Sequence, residues 1–146
     1  LNLVGNPVKD AGVKEIKELA SLQILALSNT AVTDASMKDL KGLAELQTLY
    51  LNGTKVSDAG MKDLAAVGSL EYLDLERPAV GDAGVDDLKA LKNLTYLNLR
   101  GTRVTDAGVK ELKDFKGLKA VVVPIKTSLQ ATDDLKAAVP GLRIDK

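Results

Sequence analysis

The chain has 146 residues, enough for one domain, and its 20 lysines and arginines balance 20 aspartates and glutamates. That balance excludes the whole-molecule field that draws a protein onto nucleic acid, and no apolar run is long enough to cross a bilayer. Cysteine and histidine are both missing, which excludes disulfides, thiolate metal sites and the commonest general base.

Leu22, Leu46, Leu70, Leu94, Leu118 and Leu142 return at a constant spacing of 24 residues. In the copy from Leu94 to Gly117, Leu97 and Leu99 alternate with Tyr96, Asn98 and Arg100. Such alternation puts the leucines on one face of a short strand and the polar residues on the other. Thr102 marks the turn off the strand, and Val104 returns to the core. Asp106 stands before an apolar-periodic run and reads as a helix N-cap. Ala107, Val109, Leu112 and Phe115 fall on the buried side of that helix; Lys110, Glu111, Lys113 and Asp114 form its wet side. Neither element can bury its apolar face alone, so the copies must stack. The recurrent Asp10, Asp34, Asp58, Asp82 and Asp106 have a second reading, as cation ligands. No other ligand type recurs beside them, and capping accounts for every copy, so neither a metal nor a cofactor is expected.

Residues 1–21 form a copy without its first strand residues. Leu1 and Leu3 match Leu25 and Leu27, Asn6 matches Thr30, and Asp10 caps a helix holding Val13, Ile16 and Leu19. No polar cap precedes this strand, and an open edge pairs readily. The two expectations are further repeats upstream or self-association through the N-terminal edge. The copies opening at Leu22 and Leu46 are regular, with Met37 and Met61 in the core slot that Val85 and Val109 hold later. The next copy departs at Glu76-Arg77-Pro78, where the pattern elsewhere is polar, Gly, Thr. Pro78 has no N–H to donate, which predicts a stiffer and differently wired turn. The last copy is degenerate. Its strand survives in Ala120 to Pro124, Thr132 or Asp133 is the expected cap of a helix reaching Val139, and Pro140-Gly141 ends that helix. Leu142 and Ile144 predict a short closing strand. The whole reads as one domain, 1–146, of about six repeats, the first truncated and the last C-terminal capping.

An opening L-x-x-L-x-L-x-x-T at this period is the leucine-rich repeat signature. The phrase T-x-V-T-D-A-G at Thr102 to Gly108, with variants at Thr54 to Gly60 and Gly81 to Gly84, resembles bacterial leucine-rich repeat proteins of the kind abundant in planctomycetes. The resemblance covers essentially the whole chain. It implies an α/β fold: a curved solenoid with a parallel β-sheet on the concave face and α-helices on the convex face. It also implies a recognition surface, often joined to other domains, and no activity.

Helices pack about 8–10 Å apart and strands about 4.8 Å apart, so the stack must curve toward its strands. The inner face then carries Thr48, Tyr50 and Asn52, followed by Tyr72, Asp74 and Glu76, then Tyr96, Asn98 and Arg100. Ile24, Ala26 and Ser28 flank it on one side, and Ala120, Val122 and Pro124 on the other. All three tyrosines of the chain lie there. Tyr72 and Tyr96 hold equal slots on adjacent strands, so their rings should touch. Arg77, Arg100 and Arg103 lie beside them or at strand ends. Tyr and Arg are the residues most enriched at binding hot spots. The candidate binding residues are therefore Tyr50, Asn52, Tyr72, Asp74, Glu76, Arg77, Tyr96, Asn98 and Arg100, with a protein or peptide as partner. The competing reading is that tyrosine favours strands and fills space. Asp74 and Glu76 form a carboxylate pair, but glycoside hydrolysis would need a deep cleft. No phosphate loop, zinc spacing or nucleophile elbow occurs, so no catalytic residue is expected. Two alternatives stand beside recognition: a structural solenoid assembling through its ends, and a carbohydrate- or cell-wall-binding surface. The compartment is left open.

Overall fold

Each regular copy contributes one three-residue strand to a single parallel sheet, seen in a computed structural model that describes residues 1–146. The strands are β1 (Ile24–Ala26), β2 (Thr48–Tyr50), β3 (Tyr72–Asp74), β4 (Tyr96–Asn98), β5 (Ala120–Val122) and β6 (Arg143–Asp145), and they lie side by side in chain order. Leu25, Leu49, Leu73, Leu97 and Val121 are in register across the sheet, and Ile144 completes the row one residue early. At the other edge, Asn2 makes a single bridge to Ala26. The helical layer runs α1 (Asp10–Glu15), a 3-10 helix (Asp34–Gly42), α2 (Asp58–Leu64), α3 (Asp82–Leu88), α4 (Asp106–Glu111) with a 3-10 turn (Leu112–Asp114), and α5 (Leu129–Ala138). Between the layers lies one apolar core, and the repeated leucines Leu46, Leu70 and Leu94, the valines Val32, Val56, Val80 and Val104, and Met37 and Met61 are fully buried in it. Leu19 stays 47% exposed, unlike its later counterparts Leu43, Val67 and Leu91, because the first copy has a neighbour on one side only.

The recurrent aspartate does not cap its own helix. The capping residue is the one before it: Thr33, Ser57 and Thr105 are extended, and their hydroxyls accept from the N–H of Ala35, Ala59 and Ala107. The aspartate is the first helical residue, and its carboxylate reaches forward to the next copy. Asp10 accepts from the Thr33 N–H and hydroxyl at 2.9 and 2.8 Å, Asp34 from those of Ser57 at 2.7 Å each, and Asp82 from those of Thr105 at 2.8 and 2.6 Å. Asp58 accepts from the N–H of Gly81 and Gly84, and Asp106 from the N–H of Ser128. A ladder of charge-assisted hydrogen bonds thus ties each helix start to the one before it. Burial raises the Asp10 carboxyl, but the Ser36 and Thr33 donors outweigh it and hold the group below the ordinary carboxylate value; the Ser128 donors hold Asp106 low as well.

The ladder explains the glycine of D-A-G. A Cβ on Gly84 would stand 2.5 Å from Asp58 Oδ1 and 2.9 Å from Met61 Cγ. Gly108 is accordingly buried where Ala107, expected inside, is exposed. In the second copy Ser36 occupies the slot, donates its hydroxyl to Asp10, and lies in the copy whose whole helix is 3-10. At the far end, α5 starts earlier than expected: Ser128, not Thr132 or Asp133, accepts from the Ala131 N–H, and the Thr132 hydroxyl donates to the Leu129 carbonyl.

Candidate functional site on the inner sheet face

The alternation of each strand buries its central residue and turns the flanking pair toward the hollow, where the tyrosines and Asp74 stay partly exposed but Asn98 is buried. Parallel register converts that into rows. One row places Tyr72 beside Tyr96, between Thr48 and Ala120; the next places Tyr50, Asp74 and Asn98 side by side. Tyr72 and Tyr96 stack with centroids 4.3 Å apart and planes within 5°. Tyr50 reaches diagonally to Tyr72, at 5.2 Å and a tilt of 48°. Each such pair contributes about 0.5–1.5 kcal/mol beyond area burial, so the rings hold one another in place before any partner arrives. Burial, then the neighbouring Tyr96, pushes the Tyr72 phenol well up, which keeps its hydroxyl neutral.

Asp74 lies beside these rings. Its Oδ1 accepts from the Glu76 N–H at 2.9 Å. Burial pushes its carboxyl up, the Glu76 N–H opposes that, the Glu76 carboxylate adds to it, and the Asn98 amide opposes it again. Asn98, one strand on, accepts from the Arg100 N–H at 3.0 Å in the same local turn, and Arg100 donates to the Lys146 carbonyl at 3.2 Å. Asn52 receives the Ser28 hydroxyl. Glu76 approaches Arg77 Nε at 3.7 Å, but Arg77 is 77% exposed, and such surface pairs contribute little.

The turn at Arg77 keeps the backbone path of the other copies but, as expected from Pro78, not all of their hydrogen bonds. Gly5, Asn29, Gly53, Arg77 and Gly101 have φ of 68°, 55°, 69°, 72° and 69°, and the Arg77 N–H donates to the Arg100 carbonyl as the Gly53 N–H does to that of Glu76. Pro78 fits because the ladder bond belongs to its neighbour. What it removes is two donors: the N–H that Thr54 and Thr102 give to the carbonyls of Leu51 and Leu99 at 3.2 Å each, and the hydroxyl that Thr30, Thr54 and Thr102 give to those of Leu27, Leu51 and Leu99 at 2.7, 2.6 and 2.7 Å. Arg77 therefore sits in a left-handed conformation that three of its four equivalents fill with glycine.

Two inner-face residues escaped the sequence reading. Arg143 and Asp145 of β6 pair in register with Ala120 and Val122 and form an ion pair at 2.9 Å. The signal was present, since they alternate with Leu142 and Ile144. The four open depressions on the molecule all lie away from this face; one, of about 440 Å³, is lined by Lys17, Glu18, Lys38 and Asp39 among others. The inner face is thus an open surface suited to contact, without the enclosure a small substrate needs.

A family model described as Leucine Rich repeat matches residues 45–65 and 90–113. The structure of internalin C2 from Listeria monocytogenes superposes with a TM-score of 0.72 at 29% identity, over 92% of this chain and 56% of that one. The fold is a leucine-rich repeat solenoid. A second Listeria monocytogenes internalin gives a TM-score of 0.72 at 15% identity, over 91% of this chain and 37% of that one. A leucine-rich repeat protein of Leptospira interrogans gives 0.70 at 24%, over 91% and 33%. The chain spans 56% or less of the length of these three structures. No curated protein matches it by sequence. Within the leucine-rich repeat frame the core slots hold leucine or valine in copy after copy. One inner row instead reads Ile24, Thr48, Tyr72, Tyr96, Ala120, so the frame does not dictate which residue stands there.

Proposed function

We propose that the inner sheet face is a non-catalytic recognition surface for a protein or peptide. Tyr50, Tyr72 and Tyr96 form its centre, and Asn52, Asp74, Glu76, Arg77, Asn98 and Arg100 border it. The observation that carries this reading is the three-ring cluster on an open face. Its rings are already ordered by one another, which lowers the entropy a partner must pay to dock on them. Leucine-rich repeat chains generally serve as interaction modules, and the likeness to two internalins supports the same use.

The test is a selection of binders from a displayed peptide library, followed by Tyr72→Ala together with Tyr96→Ala. Both tyrosines are partly exposed, so the double variant should keep the far-UV dichroism of the parent. Affinity for a selected binder should fall about 100- to 1000-fold, as expected for two hot-spot residues. A folded double variant that binds as the parent does would reject the reading.

A further inference from the structure

We infer that the inner face receives a cationic side chain, arginine or lysine, of an extended partner segment at Asp74, beside Tyr50 and Tyr72. This rests on the recognition reading above and specifies its chemistry.

Three acidic residues lie on the inner face. Glu76 has Arg77 at 3.7 Å and Asp145 has Arg143 at 2.9 Å, whereas Asp74 has no cation in reach. Elsewhere, Lys89 gathers Asp86, Glu111 and Asp114, and the ladder aspartates take N–H and hydroxyl donors from the next copy. The donors of Asp74 are the Glu76 N–H and the Asn98 amide, both neutral. A part-buried carboxylate without a counter-charge costs stability that an incoming cation would recover.

The surroundings select the kind of cation. Tyr50 is in register with Asp74 on the adjacent strand, about 4.8 Å away between backbones, and Tyr72 lies two residues earlier on the same face, about 6.6 Å away along the strand. A guanidinium or ammonium meeting the carboxylate therefore comes within the roughly 6 Å over which ring faces attract cations. No group of carboxylates is arranged here to hold a metal ion. The six strands of this chain set the length of a suitable probe. Their sheet is about 24 Å across, close to the span of about seven extended residues.

The experiment displays random heptapeptides to the parent chain and to Asp74→Asn, which keeps an oxygen for the Glu76 N–H. Urea unfolding of both confirms that the variant is folded. Peptides selected by the parent should be enriched in arginine or lysine, and Asp74→Asn should lose that enrichment and bind them about 10- to 100-fold more weakly. Selection of peptides without cationic bias, or a bias that survives in Asp74→Asn, overturns this inference and leaves the recognition reading standing. Failure of the parent to select any peptide overturns both.

Discussion

The aspartates that open the helices and the aspartate at the middle of the sheet belong to the same repeats, yet they are satisfied in opposite ways. Asp10, Asp34, Asp58, Asp82 and Asp106 each receive donors from the following copy, so their charge is used in stacking. Asp74 takes only neutral donors from its own strand and its neighbour, and burial raises its pKa where donors lower those of Asp10 and Asp106. The first arrangement is what a solenoid needs in order to stand. In the second, the donors do not offset burial, and the group sits beside the partly exposed tyrosines. In a repeat protein the carboxylate whose donors fall short of its burial is therefore the one to examine for contact with something else.

The ladder is broken most directly through its glycine. In Gly84→Ala the new methyl would meet Asp58 Oδ1 at 2.5 Å, and Met61 Cγ and Val80 Cγ1 at 2.9 Å. Asp58 cannot swing aside without losing the Gly81 and Gly84 N–H groups. Overpacking of roughly 1–3 kcal/mol outweighs the gain of about 1 kcal/mol in helix propensity. A net loss of up to about 2 kcal/mol, read as a lower urea midpoint, is expected. An unchanged or higher midpoint would mean that the close approach is slack and the ladder is not a constraint. Binding at the inner face should survive, because no inner-face residue touches this site.

How much of this was legible in the sequence follows the same division. The period-two and 3.6-residue patterns placed the sheet, the helices and the core leucines, because each depends on spacing within one copy, and the constant 24-residue period placed the Tyr72–Tyr96 contact. The ladder was invisible for the opposite reason: its partners are 22 to 26 residues apart, and Asp before an apolar run looks like a cap. Ala107 was misplaced with it, since only the incoming carboxylate shows why the glycine beside it faces inward. The donor lost at Pro78 was legible, whereas the backbone path shared with the glycine copies, a fact of torsion angle rather than composition, was not. The inner-face residues were legible as a group. Which of them lacks a counter-charge was not, since that depends on where every other charge goes.

Arg77 tests whether the rim of the inner face follows the stack or departs from it. Its φ of 72° is one that Gly53 and Gly101 adopt without a Cβ penalty. Arg77→Gly should therefore stabilise the chain by about 1 kcal/mol, the usual cost of a left-handed non-glycine residue. Thermal or urea unfolding measures this, and a destabilised variant would show that the arginine's stem, which packs over Gly101, matters more than its backbone. If the rim serves recognition, the same variant should bind selected peptides more weakly while being more stable. A gain in stability without any loss in binding would remove Arg77 from the site.

The smallest expected effect is a difference of sign between the two kinds of aspartate. For Asp10 the folded pKa lies below the ordinary 3.8, so its contribution to stability is present above that value and is lost as pH falls through the folded pKa. For Asp74 the folded pKa lies above 3.8, so the folded chain binds a proton more readily than the unfolded one, and stability declines as pH rises through that window. Asp10→Asn should accordingly be less stable than the parent near neutral pH and converge with it in acid. Asp74→Asn should be slightly more stable near neutral pH, by less than about 1 kcal/mol, and should also converge in acid. Urea midpoints taken between about pH 2.5 and pH 7 would show the two curves leaving the parent in opposite directions. Should Asp74→Asn fall below the parent at neutral pH, the carboxylate would have an intramolecular role, and its availability to an incoming cation would lose its physical basis.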